Sequence, residues 1–122
     1  MPQPETLERF IATVEAGRTV EALEGFYAEH AAMQENLGPP RVGRSALVAH
    51  EQRALAGVQD LRLRCVRPVL SAGDTVVLRW QISYCTRDGR AVRFEELAYQ
   101  RWAGERIVHE QFFYDPGPLS AV

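Results

Sequence analysis

Val76-Val77-Leu78-Arg79-Trp80-Gln81-Ile82-Ser83-Tyr84-Cys85 is the stretch on which the fold turns. Val76, Leu78, Trp80, Ile82 and Tyr84 alternate with Val77, Arg79, Gln81, Ser83 and Cys85. A period of two with large apolar residues on one side marks a strand with one buried face. Downstream, Arg87-Asp88-Gly89 is a hairpin turn signalled by Asp-Gly. Val92, Phe94, Glu96, Ala98, Gln100 and Trp102 then share one face of the next strand, and Arg93, Glu95, Leu97, Tyr99 and Arg101 share the other. After a turn at Ala103-Gly104-Glu105, Ile107 to Tyr114 forms the last strand, with Val108, Glu110, Phe112 and Tyr114 expected inward. Upstream, Leu61, Leu63 and Cys65 alternate with Arg62 and Arg64, and Pro68 must lie at an edge, bulge or bend.

The first half of the chain changes period. Leu7, Phe10, Ile11 and Val14 recur at helical spacing, and Gly17 closes that helix. A second helix turns Val20, Leu23 and Phe26 or Tyr27 inward, with Thr19 as its expected N-cap. Glu29 to Asn36 alternates as a strand, Ala31, Met33 and Glu35 on one face, before the Gly38-Pro39-Pro40 loop. A third helix runs from Arg44 to Gly57, with Leu47, His50 or Glu51, Ala54 and Val58 inward. The order is helix, helix, strand, helix and four long antiparallel strands, which predicts one α+β domain over residues 1–122.

Composition excludes several functions. All 14 basic residues are arginine, so lysine Schiff-base chemistry and a P-loop lysine are ruled out. A net charge of −2 argues against a nucleic-acid partner. No apolar run approaches the roughly 20 residues of a membrane span, and Met1 to Leu7 lacks the pattern of a secretory signal. Cys65 and Cys85 make no disulfide framework or zinc pattern, so a cytoplasmic protein with reduced thiols is expected.

Phe26-Tyr27-Ala28-Glu29-His30-Ala31-Ala32-Met33-Gln34-Glu35-Asn36, Gly43, Gln100-Arg101-Trp102-Ala103-Gly104-Glu105-Arg106-Ile107 and Phe112-Phe113-Tyr114-Asp115-Pro116 carry a resemblance. In this order they resemble the nuclear transport factor 2-like superfamily, in its SnoaL-like (polyketide cyclase) and ketosteroid isomerase-like branch. The resemblance implies a strongly curved, cone-shaped sheet wrapped on three helices around a deep apolar pocket. It also implies a bacterial-type homodimer paired through the sheet. Activities in that superfamily include isomerases, cyclases, dehydratases and epoxide hydrolases, while other members only bind or scaffold. By the resemblance, the isomerase base falls on Glu35, the helix-one tyrosine on Phe10, and the protonated strand carboxyl on Ala98 or a near neighbour.

The residues themselves add further candidates. Alternation turns Glu96 and Glu110 toward the same face as the aromatic residues, where mutual repulsion and desolvation raise carboxyl pKa values. His50 shares a helix face with Leu47 and Ala54, whereas His30 and His109 fall on the opposite parity and are expected exposed. With no His-x-His or Glu-x-x-His cluster, neither a metal nor another cofactor is expected. Phe10, Met33, Trp80, Ile82 and Tyr84 are expected in the pocket wall, together with Ala98, Trp102, Phe112 and Tyr114. Arg62, Arg64, Arg79, Arg93 and Arg101 share the outer parity, where they can pair with glutamates such as Glu95.

These features predict a pocket for a small hydrophobic, neutral or weakly polar molecule. Carboxylate acid/base catalysis would use Glu35 as base, with Glu96, Glu110, His50 or Tyr84 as acid or orienting groups. A non-catalytic binding or dimerisation module is the alternative. An epoxide hydrolase is a third reading, and would need an Asp-Arg-Asp set inside the pocket.

Overall fold

Six strands form one sheet in the order β2-β1-β6-β5-β4-β3, and three helices pack on its inner face. The computed structural model describes residues 1–119; residues 120–122 of the expected domain lie outside the described residues. Helices α1 (Pro4–Glu15) and α2 (Thr19–Phe26) lead into β1 (Tyr27–Glu35), a two-residue β2 (Arg41–Val42) and α3 (Arg44–Ala56). The long strands β3 (Val58–Ala72), β4 (Thr75–Thr86), β5 (Ala91–Ala103) and β6 (Arg106–Tyr114) follow, then a short 3-10 turn at Gly117–Leu119.

The β4 alternation behaves as its sequence predicts. Val76, Leu78, Trp80 and Ile82 are buried, and Arg79 is exposed. On β5, Val92, Ala98, Gln100 and Trp102 are buried and Glu96 half-buried, with Arg93, Glu95, Leu97, Tyr99 and Arg101 outside. The five outward arginines are all exposed. Arg79 pairs with Glu95 at 2.6 Å on the outer face. Helix α1 buries Phe10 and Ile11, and α2 buries Ala22, Leu23 and Phe26. Phe10 stands edge-on to both Phe26 and Trp102, which locks the helices to the sheet.

Several local expectations are corrected. The sheet is not wholly antiparallel, because β1 runs parallel to β6. The short β2 lies in the chain expected to be loop, pairing Val42 with Ala32 and Arg41 with Met33. Thr19 is not a cap: Arg18 holds the N-cap position, and the buried Thr19 hydroxyl has no hydrogen-bond partner. Val58 opens β3 instead of ending the α3 stripe. Val108 is not the inward residue at the start of β6. Trp102 pairs with Ile107 and Arg101 with His109, so one extra residue sits on β6. This bulge buries Ile107 and leaves Val108 and His109 half-buried.

Pro68 lies on the edge strand, at an irregularity between Val66 and Leu70, which combines two of the sites open to a strand proline. A second irregularity on β3 spans Gln59 to Arg62, where Asp60 takes φ 55°. Such breaks bend a strand and increase its twist, curving the sheet around the helices.

Candidate active site

Between the helices and the inner sheet face lies a cavity of about 320 Å³. Its sheet wall is built in rungs. Met33, Glu110, Gln100 and Val76 form one row across β1, β6, β5 and β4, and Glu35, Phe112, Ala98 and Leu78 form the next. Tyr114, Glu96, Trp80 and Cys65 form the third. Alternation on each strand therefore aims three carboxylates, Glu110, Glu35 and Glu96, at one face. All three line the cavity, together with Glu51 and His50 from α3.

Glu110 is fully buried. It accepts hydrogen bonds from the Tyr27 hydroxyl and, at 2.6 Å, from the Gln100 side-chain amide. The Trp102 indole donates to the Gln100 carbonyl at 3.0 Å. Every polar atom of the Gln100–Glu110 pair thus meets a defined partner in the core. Burial pushes the Glu110 carboxyl up to about 7, against the lowering effect of the bonds from Tyr27 and Gln100. Burial and the Glu110 charge hold the Tyr27 phenol well above its usual range.

Glu96 occupies a different setting. It pairs with Trp80 on one side and Tyr114 on the other, and no hydrogen bond or ion pair to it is found among the described residues. Burial, followed by the charges of Glu110, Glu35 and Glu51, pushes its carboxyl up to about 8. Glu35 is exposed at the end of β1, at the cavity rim. The Tyr114 hydroxyl meets it; burial and then the Glu35 charge raise that phenol.

Of the expected wall residues, Phe10, Met33, Trp80, Ile82, Tyr84 and Phe112 line the cavity. Ala98, Trp102 and Tyr114 do not. Ala98 and Trp102 are packed in the core, and Tyr114 stacks beside Phe94, with ring centroids 5.6 Å apart. Phe94, on the expected inner face of β5, lines the cavity as well.

Four contributors have no site role in the sequence analysis: Tyr27, Gln100, Arg41 and Thr19. The helical stripe leaves His50 or Glu51 inward, and both line the cavity. Gln100 shares the Glu96 parity, a signal that could have marked it. Among the described residues no three His, Cys, Asp or Glu side chains are grouped to hold a metal ion.

The SnoaL-like domain model matches residues 7–110, a span that holds Glu35, Glu51, Glu96, Glu110 and all of α3. The chain belongs to the SnoaL-like domain family. Solved structures show that this SnoaL-like domain has the nuclear transport factor 2-like fold. A nuclear transport factor 2-like protein of unknown function from Burkholderia pseudomallei superposes with a TM-score of 0.80 at 14% identity, over 94% of this chain and 92% of that one. A candidate SnoaL-like polyketide cyclase from Jannaschia gives 0.81 at 14%, over 94% and 86%. A protein of ketosteroid isomerase-like fold from Catenulispora acidiphila, solved with trimethylamine, gives 0.77 at 19%, over 93% and 87%. No curated protein matches the sequence. No helix among the described residues of this SnoaL-like domain is long and apolar enough to cross a membrane.

Proposed function

We propose that this SnoaL-like protein is a cytoplasmic, cofactor-free enzyme of isomerase, cyclase or dehydratase type, moving protons on a small hydrophobic substrate. The observation that carries the reading is Glu96: a carboxyl without a partner among the described residues, in an aromatic-walled cavity, two residues along the inner face of β5 from Ala98. A filled cone would favour a scaffold. An open cavity with several convergent carboxyls favours acid/base chemistry.

The two roles divide by environment. Glu96, pushed up to about 8, is largely protonated at neutral pH and can donate to a carbonyl oxygen. It supplies the donor that Ala98 cannot. Glu35, at the rim beside Tyr114, is the base that removes a proton from the carbon next to that carbonyl. As the carbon–hydrogen bond breaks, its electron pair forms the enol double bond and the oxygen takes the Glu96 proton. Where the substrate has a double bond one carbon further along, delivery of the Glu35 proton to the far end of the resulting dienol and return of the oxygen-bound proton to Glu96 complete an isomerisation. Glu110 is tied to Tyr27 and Gln100 and orients the floor of the cavity. His50 stands on the helix wall as a proton relay to solvent.

The homodimer forms through the outer sheet face, where Leu97, Tyr99 and Phe113 are 45%, 48% and 41% exposed and Leu97 pairs with Phe113. Contiguous apolar groups of this kind are usual at subunit contacts. Sedimentation equilibrium of Tyr99→Asp is expected to give a monomer where the natural chain gives a dimer.

The catalytic reading is tested in deuterium oxide with a panel of cyclic ketones and enones, following deuterium uptake at carbon by mass spectrometry. The natural chain is expected to catalyse uptake on a panel member, and Glu35→Gln and Glu96→Gln to lose about a hundredfold or more each. No uptake across the panel, or full activity in both variants, overturns the assignment.

A further inference from the structure

We propose that the ligand of this cavity is a small hydrophobic cation, a tertiary or quaternary amine, with its charged nitrogen seated between Glu51 and Glu110. This rests on the small-molecule reading of the cavity and goes beyond it by naming the charge of the ligand.

The first observation is the distribution of charge. Glu35, Glu51, Glu96 and Glu110 line the cavity, and Arg41 is the one arginine that joins them among the described residues. The chain has 14 arginines, and exposed carboxylates take them as partners: Glu8 meets Arg67 at 2.7 Å and Glu95 meets Arg79 at 2.6 Å. Among the described residues no such pair forms inside. Glu51 comes from the helix wall and Glu110 from the sheet wall, and the charge of Glu51 bears on Glu110, Glu96 and Tyr27 alike. Like charges gathered on one cavity oppose one another, and among the described residues Arg41 alone offers them a counter-charge. A cation between the walls relieves all of them at once.

The second observation is the chemistry of the walls. Phe10 and Tyr27 lie beside the Glu110 end, with ring centroids 6.1 Å apart, and Trp80 and Phe94 lie beside Glu96. Aromatic faces attract cations, and do so best for alkylated ammonium groups, which are weakly hydrated. A carboxylate-rich cavity with aromatic walls repels anions and favours a cation over a neutral ligand of the same shape. The third observation is Thr19 at the cavity lining, whose buried hydroxyl oxygen lacks a partner that an adjoining polar group of the ligand would supply.

Binding of a fixed cation favours the ionised carboxyls, so it releases protons and tightens as pH rises. The titratable and charged groups that line the cavity with Glu110 are Tyr27 and Glu35 from β1, Arg41 from β2, His50 and Glu51 from α3, Tyr84 from β4 and Glu96 from β5. The lining residues of α1, α2 and β3 carry no titratable side chain.

The test is calorimetric titration of the full chain with choline and with its neutral carbon isostere, in which a quaternary carbon replaces nitrogen. Choline has no titratable amine, so its pH dependence belongs to the protein. Choline is expected to bind at least about tenfold tighter than the isostere at pH 9, with the preference shrinking at pH 6. Glu51→Gln, checked for fold by circular dichroism, is expected to lose about tenfold in choline affinity and to leave the isostere unchanged. If that variant unfolds, the two ligands on the natural chain still decide. Equal binding of both, or tighter binding of the isostere at both pH values, overturns the proposal. Deuterium uptake on neutral ketones without a choline preference sinks this inference alone. A choline preference without uptake on any substrate sinks the catalytic reading alone.

Discussion

Gln100 and Glu110 face each other across the β5–β6 ladder, and the Gln100 amide donates to the Glu110 carboxyl at 2.6 Å with both side chains fully buried. The other Glu110 oxygen is held by Tyr27, and the other end of Gln100 by Trp102. The arrangement is closed, so removing one member strands the rest.

Glu110→Ala leaves the Tyr27 hydroxyl and the Gln100 amide without an acceptor in the core. Each orphaned buried group costs about 1–3 kcal/mol, and the two together with the new void are expected to lower stability by about 3–5 kcal/mol. Glu110→Gln keeps the volume. Its carbonyl can accept from Gln100 and its amide can donate to the Tyr27 oxygen, so a loss below about 1.5 kcal/mol is expected. Urea unfolding of the two variants separates these outcomes.

Stability should fall as pH rises from about 5 to 8. Glu96 is raised from 4.5 to about 8 and Glu110 from 4.5 to about 7. The fold therefore holds these protons more tightly than the unfolded chain does. Their stabilising effect is full below 4.5 and is lost as pH climbs through the folded values. The loss is on the order of 1.4 kcal/mol for each tenfold difference in proton affinity between the folded and unfolded chain. Glu8, Glu95 and Glu105 are shifted down, by hydrogen bonds from Arg67, Arg79 and Thr6 respectively, and act oppositely; they are exposed and weak, and their effect is lost only as pH falls below 4.5. Thermal melts across this range are expected to peak near pH 5. In Glu96→Gln the decline toward pH 8 should flatten.

The Arg79–Glu95 pair is a contrasting case. Its side chains are 56% and 42% exposed, and solvent and salt screen them. Glu95→Ala is expected to change stability by no more than about 1 kcal/mol, less at high salt. A larger loss in denaturant titrations would mean that the pair does more than decorate the sheet.

Which parts of this molecule are legible from residues follows from contrast between neighbours. On β4 Leu78, Trp80 and Ile82 alternate with Arg79, Gln81 and Ser83, and on β5 Val92 and Phe94 alternate with Arg93 and Glu95, so the face of Glu96 and Gln100 can be read directly. At the start of β6, Ile107 and Val108 are both β-branched and apolar, and nothing local says which is inside. The bulge is set by pairing with Trp102, and the buried residue is Ile107. On α3 the apolar stripe is weak, and His50 and Glu51 both reach the cavity from adjacent positions. The Tyr27–Glu110 bond joins residues 83 apart, a partnership that the pairing of β1 with β6 creates. Arg41 follows two prolines, and a two-residue strand is too short to announce itself by period.

Gly43 is the point where backbone geometry and the site meet. It caps α3 at φ 98° and donates its amide to the Ala31 carbonyl at 2.8 Å, which sets where His50 and Glu51 enter the cavity wall. A methyl group there would touch nothing within 4 Å, so the obstacle to a side chain is the dihedral angle alone. Gly43→Ala is expected to cost about 1–3 kcal/mol through that strain. Gly25 gives the control: it sits inside α2 without a positive φ and also with open space around its Cβ direction. Gly25→Ala is expected to stabilise the chain by about 0.5–1 kcal/mol through helix propensity and a less flexible unfolded state. Chemical unfolding should therefore move in opposite directions for the two glycines, and movement in the same direction would show that α3 can enter the fold without the Gly43 conformation.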